Sequence, residues 1–275
     1  MDSTLTKKST NIYRLCNSNN MNTKITKLIT KMLTNININQ SAIVEIINNN
    51  KTDEKILKEL AKLNKNAENL YTEENDFKRA SYKWDVIKRN SNPANIKSIL
   101  DFGGNVGNTA YFLGKTKLNL AKPEIIVSDV NEWVLDKWKP RSDITFVNSA
   151  NLDKVPSDSV TMITSFHVLH HIKPKKREKI IKELYRILSP NGFIVIYEHD
   201  CYSADMRSFI DIEHALYDVV VSKKTEWSKF TDVFYANYLS KNGWKRTFED
   251  EGFKMYKTIE LRNLDNSFYM FFKKG

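Results

Sequence analysis

Residues 99–114 read ILDFGGNVGNTAYFLG. The chain holds only 8 glycines, and Gly103, Gly104 and Gly107 all fall here, between an apolar run and a helix-like stretch. Glycines at such a junction let the backbone turn sharply and leave room for a ligand to approach. Residues Ile96–Phe102 read as a strand and 106–115 as a helix. Asn105 stands where a fourth glycine fits. Asn tolerates the left-handed backbone region better than other non-glycine residues, so a positive φ is expected at Asn105. The glycine spacing matches neither G-x-G-x-x-G nor G-x-x-x-x-G-K-[ST]. No Lys-Ser or Lys-Thr stands directly after Gly107, which argues against a phosphate cradle of the Walker kind.

Strand-like and helix-like segments alternate on the C-terminal side of this stretch. Further strands are expected over 124–128, 144–147, 160–165 and 193–197. KPKKREKIIKELYRIL reads as a helix that buries Ile180, Ile181, Leu184, Ile187 and Leu188 and ends at SPNG. The strand runs are almost continuously apolar, as in strands buried on both faces of a parallel sheet. The alternation points to a doubly wound α/β domain. Near the C-terminus a helix over 244–251 precedes two strands, 253–261 and 267–273, joined by NLDN. That order suggests an antiparallel pair at one sheet edge.

On the N-terminal side, residues 1–20 are mostly polar and read as a disordered tail. Helical spacing follows at Ile25, Leu28, Ile29, Met32, Leu33 and Ile36. Further helices are expected over 41–48, from Asp53 to Leu63, and over 74–89. Residues 21–92 therefore read as a helical extension. NSNPAN, 90–95, is a turn-rich boundary, and 93–275 form the α/β domain, with a cap segment at about 201–243.

Composition bounds the class. Hydrophobic residues make up 41% and charged residues 28%, values of a soluble globular protein. No apolar run approaches the length of a membrane span, and the first thirty residues lack the apolar core of a signal peptide. Cys16 and Cys201 lie far apart and read as two free thiols, which fits a cytoplasmic location. The net charge of +10 suits nucleic acid or another anionic partner. It equally suits the solvated surface of a lysine-rich chain. The N-terminal helices offer a surface for a protein partner.

Ligands of open α/β sheets sit beyond the C-terminal strand ends, where the strand order reverses. The first strand carries Asp101. The second, EIIVSD, ends in Asp129, about 20 residues after the glycines. A carboxylate there accepts hydrogen bonds from both hydroxyls of a ribose, so a nucleoside ligand is expected. A dinucleotide needs helix-terminal amides for its pyrophosphate. S-adenosylmethionine has an amino-acid tail instead, and Asp101 suits its ammonium group.

At these residues the chain resembles the class I S-adenosylmethionine-dependent methyltransferases, especially the type-11-like group. The resemblance runs from Ile99 to Phe272. It rests on ILDFGGNVGNTA as cofactor loop, VSD as ribose acid, SFHVLHHI after the fourth strand, and LYRILSPNGFIVIYEHD through the fifth. It implies a Rossmann-like seven-stranded sheet of order 3-2-1-4-5-7-6 with strand 7 antiparallel. It also implies S-adenosyl-L-methionine held by Asp101, Gly103, Gly104, Asn105, Gly107, Asp129, Val130, Ser149, Ala150, Asn151, Ser165 and His167. The chain departs from the family pattern at three places. Asn105 replaces the middle glycine of D-x-G-x-G-x-G. Ser149 stands where an acid binds the adenine amino group. Val160-Thr161 replace the Phe-Asp pair opening the fourth strand.

Methyl transfer from a sulfonium needs alignment and exclusion of water, and a base only where the acceptor loses a proton early. Glu198, His199 and Asp200, in YEHD at the end of the fifth strand, are the expected catalytic or acceptor-binding residues; ordering of the loop is the competing role. Asp211 and His214, one helical turn apart, read as an oriented base or as a surface ion pair. His167, His170 and His171 lack a carboxylate or cysteine at ligand spacing, and no metal is expected. KPKKR, 173–177, reads as a phosphate contact or as a solvated helix start. The aromatics between Phe209 and Trp244 read as core or as a cap over the substrate. The expected activity is methyl transfer to a small molecule or to RNA, including cap-type methylation. The alternative is a catalytically silent methyltransferase-like subunit that binds a partner or RNA. A nicotinamide-dependent oxidoreductase is disfavoured by the loop spacing.

Overall fold

The computed structural model describes residues 12–16, 22–34, 39–64, 73–130, 143–261, 264 and 266–275. These residues form two compact units.

The first unit comprises Thr72–Glu198, Leu239–Leu261 and Ser267–Gly275. Its strands are β1 (Ile99–Phe102), β2 (Ile125–Asp129), β3 (Thr145–Asn148), β4 (Val160–Phe166), β5 (Leu188–His199), β6 (Phe253–Glu260) and β7 (Ser267–Lys274). They make a 7-stranded sheet of order β3-β2-β1-β4-β5-β7-β6. Strands β1 to β5 pair in parallel, and β7 runs antiparallel to β6. This is the Rossmann-like order expected. All four residues of β1 are buried, because alternate side chains feed two cores. Ile99, Val127, Met162 and Val195 share one core with Trp84 and Ile87. Leu100, Ile163 and Ile194 share the other with Leu184, Trp244 and Phe248. Three helices supply these partners: Glu73–Asn90, Pro174–Ile187 and Lys241–Glu249.

Local details differ from expectation. The helix expected over 106–115 is an α-helical turn, Asn108–Tyr111, continued by a π-helix over Phe112–Lys117. SPNG does not lie outside the sheet. The register shifts between Val160, opposite Leu188, and Met162, opposite Phe193, so Ser189–Gly192 form a bulge within β5.

The second unit comprises Met1–Tyr71, His199–Tyr238 and Arg262–Asn266. Leu15, Ile29, Ile56, Leu60, Phe209, Ile210, Val220 and Phe230 belong to its core. The Asn64 carboxamide donates to the carbonyls of Val220 (2.7 Å) and Val221 (3.1 Å).

The unit boundaries therefore fall elsewhere than at residue 93. The helix Glu73–Asn90 groups with the sheet, because Ala80, Trp84 and Ile87 on one of its faces enter the sheet core. The segment expected as a cap groups instead with the N-terminal helices. The tail expected over 1–20 lies outside the described residues except for the helix Ile12–Cys16. That helix buries Ile12, Leu15 and Cys16, and its Ile12 N–H donates to Asp53 Oδ1 at 2.7 Å. Cys16 and Cys201 are free thiols. No described helix is long and apolar enough to cross a membrane.

Candidate functional site

β1 lies between β2 and β4, so sequence order reverses there and its C-terminal end opens the ligand crevice. The chain turns immediately after it. Gly103 has φ 75 and Gly107 has φ 83, a region costly to any residue with a Cβ. A Cβ on Gly103 would lie 2.2 Å from Val168 Cγ2, and one on Gly107 2.5 Å from Ile144 Cδ1. A Cβ on Gly104 would lie 2.8 Å from Asp101 Oδ2. Asn105 has φ 51, as its residue type suggests.

Asp129 closes the other side of the turn. Its Oδ2 accepts the Asn105 N–H at 2.8 Å and its Oδ1 the Val130 N–H at 2.6 Å. Each oxygen keeps a further lone pair, which is what two ribose hydroxyls require. Val130 follows as an apolar residue 51% exposed, a surface on which a nucleobase can lie. Asn148, at the end of β3, ties this region together. Its carboxamide oxygen accepts the Ala150 N–H at 2.8 Å, and its NH₂ donates to the Val130 carbonyl at 3.3 Å. Ser149 is buried and Ala150 exposed.

Asp101 is buried beneath the loop and accepts the Thr164 hydroxyl at 2.6 Å. Burial pushes its carboxyl up to about 6, against the hydrogen bond from Thr164 and the nearby Lys83 ammonium. Burial in turn pushes Lys83 down, with Asp101 opposing. The Lys83 ammonium sits 4.5 Å from the centre of the Phe166 ring. Asp101, Lys83, Phe166 and the glycine loop line a cavity of about 150 Å³, together with Asp76, Arg79 and Asn108. Asp76 is bonded to Arg79 and accepts the Asn108 NH₂ at 2.7 Å. A buried acid and a desolvated ammonium in one cavity match the zwitterionic tail of an amino acid. The residues present therefore fit S-adenosylmethionine.

Sequence reasoning missed Lys83, Asp76, Arg79 and Phe166. Asp76, Arg79 and Lys83 recur on one face of the helix Glu73–Asn90, the i, i+3, i+7 spacing of a shared stripe. That stripe was legible, but assigning the helix to a separate extension removed it from the site.

The other expected residues separate. Ser165 pairs with Phe102 in register, and so lies on the opposite sheet face from Asp101 and Thr164; its hydroxyl is buried without a hydrogen-bond partner among the described residues. His167 has φ 56, donates its N–H to Tyr197 O at 2.8 Å and sets its ring edge-on to Tyr197, centroids 4.1 Å apart. Asn151 lies in the short helical turn after β3.

Glu198, His199 and Asp200 do not act as one cluster. Glu198 is fully buried. It accepts the Leu169 N–H at 2.9 Å and is 2.5 Å from His170 Nδ1. It thereby pins the HVLHHI turn. Arg177 of KPKKR joins that turn rather than a phosphate. It is buried, donates to Leu169 O at 3.3 Å and stacks over Trp244. His199 belongs to the helical unit, with its ring 5.5 Å from that of His214 and 5.9 Å from that of Tyr238. The Asp200 N–H donates to Asn266 O. Asp211 and His214 do not form the expected pair. His214 Nδ1 meets Ile210 O at 2.9 Å, while Asp211 faces Arg207 and the Tyr238 hydroxyl.

Residues 52–258 match the family described as "Methyltransferase domain". The tRNA N(3)-methylcytidine methyltransferase trm140 of Schizosaccharomyces pombe is 29% identical over 125 residues, 42% of this chain and 39% of that protein. The carboxy-S-adenosyl-L-methionine synthase of Nautilia profundicola is 30% identical over 105 residues, 36% of this chain and 43% of that protein. The chain thus matches less than half the length of either relative. Among solved structures, the PH0226 protein of Pyrococcus horikoshii OT3 shares the fold, with TM-score 0.55 and 15% identity over 73% of this chain and 92% of that one. The family match takes in the glycine loop, Asp101 and Asp129 together, and the chain belongs to the methyltransferase-domain family, the class I S-adenosylmethionine-dependent methyltransferases.

Proposed function

We propose that this chain transfers a methyl group from S-adenosylmethionine to an acceptor nucleophile. The observation that carries the proposal is the placement of Asp101 and Asp129 at the ends of adjacent strands, on either side of a loop that has no room for side chains at Gly103 and Gly107. When bound, S-adenosylmethionine supplies an electrophilic methyl group on a sulfonium, with a thioether as leaving group. The chain's own work is binding and alignment. Asp129 accepts the ribose hydroxyls. Asp101 faces the ammonium of the amino-acid tail and Lys83 its carboxylate. Val130, Ser149, Ala150 and Asn151 border the adenine, held in place by Asn148. Glu198 is a positioning residue that fixes the turn after β4 through His170 and the Leu169 N–H. His199 and Asp200 are the remaining candidates for contact with the acceptor. The net charge of +10 and the tRNA-modifying relative support RNA over a small metabolite as the acceptor. Two free thiols support a cytoplasmic setting. The half-exposed Val44 and Leu63 support a protein partner on the N-terminal helices.

Calorimetry with S-adenosylhomocysteine tests the site. The chain binds it, and Asp129→Ala weakens binding by about 1–3 kcal/mol, the cost of unpaired buried hydroxyls. Transfer of a labelled methyl group into RNA, with none into a metabolite pool, identifies the acceptor class. Absence of binding by either S-adenosylmethionine or S-adenosylhomocysteine overturns the reading in favour of a silent partner-binding subunit.

A further inference from the structure

The helical unit carries a groove of about 750 Å³ that the methyl-donor site does not use. One wall is the helix Asp53–Leu63, with Lys58 and Lys62 four residues apart and so on one face. The other is the segment 223–229, with Lys223, Lys224, Lys229 and Trp227. Among the described lining residues Glu54 and Glu226 are the carboxylates, so positive charge is in excess there. Lys62 is shared with Glu59 at 2.6 Å. Trp227 is half-buried and stacks on Phe230, centroids 6.0 Å apart and planes 23° apart, which holds the indole at the groove wall.

Ammonium groups from two elements, spread along an open groove, suit a chain of phosphates more than a single anion. An aromatic wall within the same groove suits a nucleobase, which stacks without regard to sequence. An acidic peptide would use the lysines and leave the indole without a matching group. We infer that this groove binds single-stranded nucleic acid, with Lys58, Lys62 and Lys224 meeting phosphates and Trp227 a base. The inference deepens the proposed function on its RNA side. It does not rest on the methyl-donor site, whose residues belong to the sheet unit.

The test uses the full chain and fluorescently labelled twelve-residue oligo-U and oligo-dT, followed by anisotropy across a salt series. Binding is expected to weaken with salt. The triple variant Lys58→Glu, Lys62→Glu, Lys224→Glu binds at least tenfold more weakly, with a log–log salt slope smaller by about 2, three contacts at about 0.7 each. Trp227→Ala weakens binding several-fold without changing the slope. Lys223→Glu with Lys229→Glu, on the wall opposite Lys58 and Lys62, gives a second charge reversal should the triple variant fail to fold. Preference for oligo-U assigns RNA, and equal binding assigns single strands of either sugar. Asp129→Ala retains the binding, so loss of methyl transfer and loss of the groove read out separately. The inference is overturned if neither oligonucleotide binds, if the charge reversals leave affinity unchanged, or if poly-glutamate binds as tightly and Trp227→Ala has no effect.

Discussion

Asp101 in the sheet unit and Asp211 in the helical unit are alike in one respect. Their exposures are 3% and 4%, and burial pushes each carboxyl up to about 6. Their surroundings differ. Asp101 borders a cavity and has the Thr164 hydroxyl and the Lys83 ammonium beside it. Asp211 has Arg207 at 3.9 Å and the Tyr238 hydroxyl, and its Oδ1 is buried without a hydrogen-bond partner among the described residues. A carboxylate held out of water costs free energy in both places. In the sheet unit the proposed binding role of Asp101 turns that cost to use, because an arriving ammonium would add to the single counter-charge of Lys83. In the helical unit the described residues offer no such return, and the cost falls on the fold. On that proposal the same local chemistry serves a ligand contact in one place and is a stability liability in the other.

The largest expected effect separates them directly. Asp101→Asn removes one partner of a buried charge pair and lowers affinity for S-adenosylhomocysteine by about 2–4 kcal/mol, at least thirtyfold. Asp211→Asn leaves that affinity within twofold. Calorimetry at pH 7.5 reads both, and an equal loss in the two variants breaks the distinction.

Stability against pH sharpens it. A carboxyl raised from 3.8 to about 6 in the folded state binds more protons folded than unfolded between those values. Its favourable contribution is complete below pH 3.8 and lost as pH rises through about 6. At neutral pH the ionised Asp211 therefore costs the fold at most about 3 kcal/mol. Asp211→Asn is expected to raise the urea midpoint at pH 7.5 and to flatten its decline between pH 4 and 6. Asp101, also raised to about 6, adds a ligand effect. The free carboxyl must ionise before it pairs with the ammonium, so S-adenosylhomocysteine binding tightens as pH rises through 6 and then levels. A level affinity from pH 5 to 8 would contradict the role given to Asp101.

Lys83 ranks next. Lys83→Met keeps an unbranched apolar stem and removes the ammonium that sits over the Phe166 ring. Affinity for S-adenosylhomocysteine falls by about 1–3 kcal/mol, while affinity for adenosine, which lacks the carboxylate, stays unchanged. Equal losses for the two ligands would place Lys83 outside the tail subsite.

How legible these sites were in the sequence follows from how each is built. The strands and the β1–β2 edge rest on runs of apolar residues and on glycines, which declare themselves along the chain, whereas the order of the whole sheet followed from the family resemblance. Asp129 was readable because strand geometry alone puts it beside the loop. Lys83 was not, because its place depends on which core the helix Glu73–Asn90 joins, a choice made by Trp84 and Ile87 packing on the sheet. Glu198 and His199 are neighbours in sequence, yet strand alternation sends them to different partners, His170 for one and the His214–Tyr238 cluster for the other. The expected Asp211–His214 pair failed for a related reason. Helical spacing brings two side chains to one face, but the Tyr238 hydroxyl, distant in sequence, meets both Asp211 and, at 3.4 Å, His214 Nδ1.

The smallest effect concerns Asn105, the residue that departs most visibly from its family's loop. Its φ of 51 is the demand a glycine would meet. What it gives the site is a backbone N–H, donated to Asp129 Oδ2 at 2.8 Å, and any residue has that group. The side chain is exposed. Asn105→Gly is therefore expected to leave S-adenosylhomocysteine affinity within twofold. Asn105→Ala keeps the N–H but resists the left-handed conformation, and costs about 1 kcal/mol in the urea midpoint and in affinity together. If alanine matched asparagine while glycine lost affinity, the side chain itself would be the contact, and the substitution would mark a specialised loop. If alanine alone falls short, Asn105 is a glycine equivalent, and the departure from the family pattern removes no support from a competent cofactor site.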